Sequence, residues 1–454
     1  MLTSVDPATG ERIAEYPEMT PAEVDAALAS ARVAFDAWRR CALGDRAVVL
    51  RAAAARLRAR RTELARLMAA EMGKPLAQGE AEVDKCAWVC EHYADGAAAM
   101  LADEDVPTEA ARSFVTYQPL GVVLGIMPWN FPLWQAFRYI APTLMAGNTT
   151  VLKHASNVTG CALAIEGILG DAGAPAGVCR VLRLSAARVG DVIDDPRIAA
   201  VTLTGSTPAG RAVAARAGAA LKKTVLELGG SDPYVILDDA DLDQAVAACV
   251  TSRLINSGQS CIAAKRFIAS RRIAAEVEAR FVAAMEKKAM GPPLTPGVDV
   301  GPQARHDLRD ELHRQVQASV ARGARCVLGG VVPEGPGAFY PPTVLAGVVA
   351  GMPAYDDELF GPVAALITVA DEAEAFRVAN DTPFGLGAAV FTADTARGAR
   401  LAAERLDAGA CAVNAFVRSD PRLPFGGVKT SGYGRELGPW GIREFVNTKA
   451  VWVA

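Results

Sequence analysis

Hydrophobic residues near the N-terminus recur at the spacing of an amphipathic helix. The recurring positions, three or four apart, are Val24, Leu28, Ala31, Phe35 and Trp38. Just before them, Thr20 can cap the free backbone N–H groups, Pro21 suits the first helical position, and Glu23 completes a capping box. This pattern predicts a helix with one apolar face. Two further alanine-rich helices are predicted over about 45–72 and 78–101, and we expect their charges, Arg58, Arg60, Arg61 and Glu63, to face solvent without chemistry.

The period of the pattern changes near residue 113. Short apolar or alternating runs typical of strands then alternate with helical patterns. The strand-like runs are 114–117, 121–126, 150–153, 178–182, 200–204 and 234–237, with a second alternating set over about 265–413. This alternation predicts an α/β protein with parallel sheets covered on both faces, a platform that binds nucleotides at the carboxyl ends of its strands. A last strand-like run, 446–453, is expected to pair with the 113–118 strand or with a neighbouring subunit.

Composition limits the classes of function. The 454 residues exceed the size at which one hydrophobic core keeps growing, so more than one domain is expected. A net charge of −4 argues against a nucleic-acid surface, which would need a basic stripe. No run of about 18 apolar residues predicts a membrane span, and the N-terminus lacks the features of a secretory signal. Nine cysteines without framework spacing favour a reducing, cytoplasmic location.

Cys261 is the first candidate for chemistry, because it ends a polar turn of small residues, 256–260. Free cysteines are usually buried as small hydrophobes, and we expect this for the other eight. A nucleophilic thiol needs a base within reach. Only four histidines exist, which disfavours a Cys–His pair. Glu227, which is followed by Leu228 and then by two glycines, is therefore the predicted base.

Two other segments combine rigidity with candidate binding groups. Residues 200–210 are typical of a strand, a Gly205-Ser206 turn and a helix start, and a helix N-terminus suits a pyrophosphate. The same residues also fit a simple capped turn. Residues 126–132 place two prolines around Trp129-Asn130, which predicts a rigid extended path. Asn130 could equally cap a turn there.

Residues 226–233, 257–261 and 126–132 together resemble the aldehyde dehydrogenase superfamily, and the resemblance runs along nearly the whole chain. It implies an α/β aldehyde dehydrogenase fold, with two Rossmann-like parallel-sheet domains and a small β oligomerisation element. The implied divisions are a cofactor-binding domain over 1–106 and 121–227, a catalytic domain over 228–420, and an oligomerisation element over 107–120 and 433–454. A homodimer or homotetramer is implied as well.

The resemblance also implies roles for individual residues. Cys261 would attack the aldehyde, and Glu227 would activate the hydrolytic water. The Asn130 side-chain amide and the backbone N–H of Cys261 would stabilise the oxyanion. Glu436 would assist proton movement or form only a structural salt bridge. No metal is implied. The implied cofactor contacts are Ile126, Met127, Pro128, Trp129, Lys153, Ala155, Ser156, Gly205, Ser206, Leu228, Glu358 and Phe360.

Ser156 bears on the choice of cofactor. NAD-restricted relatives often carry a glutamate there, which chelates the adenosine ribose hydroxyls and would repel the 2′-phosphate of NADP. A serine can donate a hydrogen bond to that phosphate instead. Lys153 is implied to contact the ribose, and a solvated strand end is its other interpretation. We predict that NADP is accepted and that NAD is also used.

Arg138 suggests a substrate that carries a carboxylate. The chain resembles bacterial NAD(P)-dependent succinate-semialdehyde dehydrogenases, in which an arginine at this place holds the substrate carboxylate. The shared features are Arg138, residues 153–155, residues 226–233 and residues 419–420. An ion pair at a helix end is the other interpretation of Arg138. Some of that class have a second arginine where this chain has Ile255, and Arg253 or Arg422 could take its place.

Three other functions stay open at this level. A dehydrogenase of broad or other small-aldehyde specificity would make Arg138 incidental. An acylating enzyme would pass the thioester to coenzyme A, and Glu227 speaks against it because a hydrolytic base would waste the thioester. A catalytically silent NAD(P)-binding protein would not need Cys261, Glu227 and Asn130 together.

Overall fold

The computed structural model describes all residues, from Met1 to Ala454. An antiparallel hairpin, which the sequence pattern did not indicate, precedes four helices. The elements are β1 (Leu2–Val5), β2 (Arg12–Tyr16), α1 (Pro21–Trp38), α2 (Leu43–Ala59), α3 (Arg61–Met72) and α4 (Leu76–Met100). The capping box of α1 is confirmed, with the Thr20 hydroxyl accepting from the Glu23 N–H and the Glu23 carboxylate accepting from the Thr20 N–H. The single helix predicted over 45–72 was wrong, because the backbone at Arg60 (φ −106°) ends α2 and α3 begins after it.

A six-stranded sheet forms the first α/β unit. Its strand order is β17 (Gly432–Tyr433), β9 (Lys223–Glu227), β8 (Ile198–Thr204), β5 (Val122–Met127), β6 (Thr149–His154) and β7 (Cys179–Val181), and every neighbouring pair is parallel except β17 with β9. Two strands outside this sheet precede it, β3 (Glu104–Asp105) and β4 (Arg112–Pro119). The elements that follow are β5 (Val122–Met127), α5 (Trp134–Met145), β6 (Thr149–His154), α6 (Thr159–Asp171), β7 (Cys179–Val181), α7 (Val189–Asp194), β8 (Ile198–Thr204), α8 (Thr207–Ala219) and β9 (Lys223–Glu227).

A seven-stranded sheet forms the second unit, in the order β12-β13-β14-β11-β10-β15-β16, and only β12 runs antiparallel to its neighbour. Apolar residues pack on both of its faces. The elements are β10 (Pro233–Ile236), α9 (Leu242–Leu254), β11 (Arg266–Ser270), α10 (Ala274–Glu286), α11 (His306–Ala321), β12 (Arg325–Leu328), β13 (Thr343–Ala346), α12 (Pro353–Asp356), β14 (Val363–Val369), α13 (Glu372–Asn380), β15 (Gly387–Phe391), α14 (Thr395–Arg405) and β16 (Ala410–Val413).

The C-terminal segment returns to the first unit. Its elements are β17 (Gly432–Tyr433), α15 (Gly438–Arg443) and β18 (Val446–Val453). Strand β18 pairs antiparallel with β4 along its length, from Val446 opposite Pro119 to Val453 opposite Arg112. The tail therefore pairs with the strand of its own chain that the sequence suggested. No helix is long and apolar enough to cross a membrane. The domain boundaries given above stay a prediction.

The six-stranded sheet places its loops around one crevice. Strands β5 and β8 are neighbours, and the chain continues from β5 to β6 on one side and from β8 to β9 on the other. In such sheets ligands bind outside the carboxyl ends of the strands at this reversal. Residues 128–133, 155–156, 205–206 and 228–230 follow those ends.

Candidate active site

A tight turn presents Cys261 after helix α9. Asn256 (φ 54°), Ser257 (φ 57°) and Gly258 (φ 78°) all adopt left-handed backbone conformations, which cost a non-glycine residue roughly 1 kcal/mol or more. The Asn256 side-chain amide holds the turn by donating to the carbonyl oxygens of Asn130 at 2.7 Å and Gln259 at 3.0 Å. A Cβ at Gly258 would lie 2.2 Å from the carbonyl carbon of Gly361, so only glycine fits.

Lys265 supports the nucleophile from within the protein, and the sequence analysis missed it. Its side chain is fully buried, and its ammonium donates to the carbonyl oxygens of Cys261 at 2.6 Å and Ser260 at 3.0 Å. It also lies 3.4 Å from a carboxylate oxygen of Glu358. The available sequence signal was a charged residue that closes the apolar run 262–264. Lys265 therefore connects the cysteine turn to the predicted ribose-binding carboxylate.

Cys261 is partly exposed at the wall of a cavity, and the thiol is the form expected at neutral pH. Burial raises the pKa of the Cys261 thiol to about 12, while the positive charges of Arg138 and Lys265 act to lower it. Because only the thiolate is a strong nucleophile, attack on a carbonyl requires that the thiol proton be removed. The site therefore needs a nearby base whose proton-accepting atoms are not already hydrogen-bonded to the protein.

Glu227 meets that requirement. It ends β9, is buried, and neither of its carboxyl oxygens has a hydrogen-bond partner in the protein. Burial raises the pKa of Glu227 well above its ordinary value, and the neighbouring Glu436 raises it further. A Cβ at Gly426 would lie 2.7 Å from a Glu227 oxygen, so this glycine leaves the carboxyl group room. The strand that carries Glu227 was not predicted from the sequence.

Arg138 lies in the middle of α5 and not at a helix end. It forms a buried ion pair with Glu436, donates from Nη2 to the Thr204 hydroxyl at 3.1 Å, and stacks 4.9 Å from the centre of the Phe425 ring. Its other terminal nitrogen, Nη1, makes no hydrogen bond to the protein, and Arg138 contributes to the cavity wall. The ion-pair interpretation thus accounts for one side of the guanidinium, and the other side is free for a ligand.

Asn130 faces the cysteine turn. Its amide nitrogen donates to the Gln259 carbonyl at 3.1 Å and has a second hydrogen to offer, while its buried oxygen has no partner. Glu82 of α4 anchors the loop that carries Asn130 by accepting from the N–H groups of Leu133 and Trp134, each at 2.9 Å. Lys74 pairs with this carboxylate. Glu82 is buried, unlike the four charges of the N-terminal helices that were expected to face solvent, because α4 packs against α5.

The cavity beside Cys261 has a volume of about 850 Å³ and is bordered by aromatic and charged side chains. Neither arginine considered as a second carboxylate ligand is free within it. Arg253 is fully buried and donates to the Gly258 carbonyl at 2.7 Å, and Arg422 is exposed and pairs with Asp420 at 2.7 Å. Position 255 is isoleucine, so that wall of the cavity has no charge there.

The predicted cofactor contacts follow four strands of the six-stranded sheet or come from the loop around Glu358. Glu358 accepts from the Gly230 N–H at 3.0 Å, and a Cβ at Gly229 would lie 2.4 Å from its other oxygen. Three of the predicted contacts lie at the ends of strands: Ile126 and Met127 in β5, and Lys153 in β6. The others directly follow the strands: Pro128 and Trp129 after β5, Ala155 and Ser156 after β6, Gly205 and Ser206 after β8, and Leu228 after β9. Trp129 meets Phe360 edge to face, with ring centres 5.7 Å apart.

This arrangement fits a nicotinamide dinucleotide. Ser206 caps α8, a helix of 13 residues with no acidic residue in its first turn, and its N-terminal N–H groups are suited to a pyrophosphate. Lys153 is buried at the end of β6 and forms no ion pair, so its ammonium is available to a ligand. Burial lowers the pKa of Lys153. No carboxylate occurs in residues 153–158, where one would oppose a 2′-phosphate.

The chain is similar to known proteins over its whole length. A family model described as the aldehyde dehydrogenase family matches residues 1–451. The chain is 48% identical over 453 residues to a probable succinate-semialdehyde dehydrogenase [NADP(+)] of Synechocystis sp., covering 100% of both chains. It is 49% identical to a succinate semialdehyde dehydrogenase [NAD(P)+] of Escherichia coli, over 99% of this chain and 97% of that one. A crystal structure of succinic semialdehyde dehydrogenase from Streptococcus pyogenes with NADP+ superposes with a TM-score of 0.98 at 36% identity, covering 100% of both.

Proposed function

The chain belongs to the aldehyde dehydrogenase family, and on this premise we propose that it oxidises succinic semialdehyde to succinate with NADP, and also with NAD. The observation that carries the proposal is the cavity that Cys261 and the free side of Arg138 share. A carbonyl held at the thiol and a carboxylate held at the guanidinium require one substrate with both groups. The names of the relatives support the same substrate and cofactors.

The first step is the formation of a covalent bond between the Cys261 sulfur and the aldehyde carbon. The thiol proton leaves to solvent, either through water or by way of Glu227, which is unprotonated again before the hydrolytic step, and the carbonyl oxygen becomes an oxyanion. Two donors are available to it, the second hydrogen of the Asn130 amide and the backbone N–H of Cys261, which makes no backbone hydrogen bond. One such preplaced donor contributes roughly 3 kcal/mol to transition-state stabilisation.

Oxidation leaves the acyl group on sulfur. A nicotinamide cofactor bound at the strand ends would supply the acceptor for the hydride of the tetrahedral carbon. Glu227 then removes a proton from a water molecule, the hydroxide attacks the thioester carbon, and the carbon–sulfur bond breaks to release succinate. Because neither oxygen of Glu227 has a hydrogen-bond partner in the protein, the carboxylate is free to bind that water. A base with a raised pKa holds a proton more strongly, which suits this role.

We also propose that the protein forms a homodimer or homotetramer in the cytoplasm. Strand β18 lies at the edge of its three-stranded sheet, and Trp452 on it is 67% exposed. An edge strand with an exposed tryptophan is a surface that a second copy can cover. All nine cysteines are free, which favours a reducing compartment.

The test is product analysis with the purified protein. Succinic semialdehyde is supplied with NADP or NAD, without coenzyme A, and both the reduced cofactor and succinate are quantified. We expect equal amounts of the two products with either cofactor, and none with the Cys261→Ser variant. A requirement for coenzyme A would show an acylating enzyme instead, and binding of NADP without turnover would show a catalytically silent member.

A further inference from the structure

Lys85 of α4 extends into the cavity that contains Cys261. Its ammonium donates to the Ser419 hydroxyl at 2.7 Å and lies 4.2 Å from the centre of the Trp134 ring. The side chain is half-buried, and Ser419 is 5% exposed. One of the three ammonium hydrogens is used by Ser419, so two remain for a ligand. The Ser419 hydroxyl, which accepts from Lys85, can itself donate to the same ligand.

Lys85 differs from Arg138, Lys288 and Arg422, which also line the cavity, in having no counter-ion. Arg418 lacks one too, but it is exposed and its guanidinium lies 4.1 Å from the centre of the Phe416 ring. Arg138 pairs with Glu436, Lys288 pairs with Asp299 at 3.2 Å, and Arg422 pairs with Asp420. Lys85 forms no ion pair within the protein, although its side chain is half-buried. A partly dehydrated ammonium without a counter-ion is unfavourable, and an anionic ligand would remove that cost.

We propose that Lys85, together with Ser419, binds the distal carboxylate of the substrate and makes the enzyme prefer aldehydes that carry one. The inference deepens the proposed function and depends on it. Arg138 acts electrostatically on both Lys85 and Cys261, so its guanidinium lies near both ends of this arrangement. A substrate carboxylate placed by Lys85 and Ser419 is therefore also within the field of Arg138. Lys85 is thus the second cation of the carboxylate site.

The charge of Lys85 gives the proposal a second readout. Burial and the positive charge of Arg138 lower the pKa of Lys85 to about 8, against the smaller opposing effects of Cys86, Glu82 and Asp420. The ammonium is therefore charged below about pH 8 in the free enzyme and loses its charge above it. The value of kcat/KM reports groups of the free enzyme, so the preference for a carboxylated aldehyde should fall as the pH rises through this value.

The experiment measures kcat/KM with NADP for succinic semialdehyde and for butanal, which has the same chain length without the carboxylate. The full-length protein is compared with Lys85→Met, Lys85→Arg and Lys288→Met between pH 7 and 10. Lys288→Met is the matched control, because Lys288 lines the same cavity but already has a carboxylate partner. The ratio of the two aldehydes cancels any effect on Cys261, on Glu227 or on folding.

We expect Lys85→Met to lower the ratio at pH 7 by about tenfold or more, mainly through KM, and Lys288→Met to leave it unchanged. In the wild type the ratio should fall above about pH 8, and in Lys85→Arg it should stay constant with pH. An unchanged ratio in Lys85→Met, or an equal loss on both aldehydes, would overturn the role of Lys85. If the wild type itself showed no preference at any pH, the proposed substrate would fail instead.

Discussion

Arg138 and Glu436 form an ion pair that is almost completely removed from solvent, with the two side chains 2% and 5% exposed. The pair links α5 to the segment before α15, and Glu436 in turn raises the pKa of Glu227. One carboxylate therefore fixes the guanidinium and adds to the proton affinity of the base. The ion pair therefore connects Arg138, the predicted ligand of the substrate carboxylate, with Glu227, the predicted base.

The first prediction concerns the stability that this pair provides. Glu436→Gln removes one charge and leaves Arg138 buried without its counter-ion, which typically costs about 3–5 kcal/mol. The midpoint of urea denaturation should fall clearly relative to the wild type. Glu444→Gln changes a nearby glutamate that lies outside this pair and should shift the midpoint less. Equal small shifts in both variants would contradict the buried-pair account.

Glu227→Gln should separate the two halves of the reaction. We expect steady-state turnover to fall by about 10²–10⁴, because the water is no longer activated. Rapid mixing should still show formation of up to one reduced cofactor per active site, because the thiol proton can also leave through water to solvent, followed by slow turnover. Glu227→Asp should recover part of the steady-state rate. Unchanged steady-state turnover in Glu227→Gln would remove the base assignment.

The reactivity of Cys261 should depend steeply on pH. With a pKa of about 12, the thiolate fraction of the free enzyme rises about tenfold with each pH unit up to that value. Loss of activity in iodoacetamide should therefore accelerate about tenfold per unit between pH 7 and 10. The measurement is best made with the exposed Cys326 and Cys411 replaced by serine. A plateau below pH 9 would show a thiolate that the free protein already stabilises.

Ser156 provides a prediction for the cofactor. Ser156→Glu places a carboxylate where a 2′-phosphate is proposed to bind, so we expect KM for NADP to rise at least about tenfold and KM for NAD to change little. Ser156→Ala removes only a hydroxyl and should have the smaller effect. The measurement is the steady-state rate at saturating aldehyde with each cofactor in turn. Equal changes in KM for NADP and NAD would show that the 2′-phosphate does not bind at Ser156.

Local signals in the sequence predicted the parts of the fold that depend on neighbouring residues. Thr20, Pro21 and Glu23 lie within four positions, and their hydrogen bonds form as the capping pattern indicates. The short apolar runs correctly indicated most strands of the six-stranded sheet. Strand β9 was missed because five residues that begin with Lys223 show little periodicity.

The site depended more on resemblance than on pattern, and its supporting residues could not be predicted. Lys85 and Ser419 are 334 positions apart, and Glu82 contacts residues about 50 positions away. The charges of Lys85 and Glu82 belong to helical sequence that is typical of a solvated surface. Only the packing of α4 against α5 turns these residues toward the cavity. The buried Lys265 gave one weak signal, a charge within an apolar run.

The most direct test of the account compares kcat/KM with NADP for succinic semialdehyde and butanal in the wild type and in Arg138→Ala. A charge-assisted contact contributes roughly 1.5–3 kcal/mol, so the wild type should prefer succinic semialdehyde by about ten- to a hundredfold. The ratio should collapse in the variant, whatever the loss of rate common to both aldehydes. Equal rates on both aldehydes in the wild type would contradict the substrate assignment and leave a dehydrogenase of other specificity.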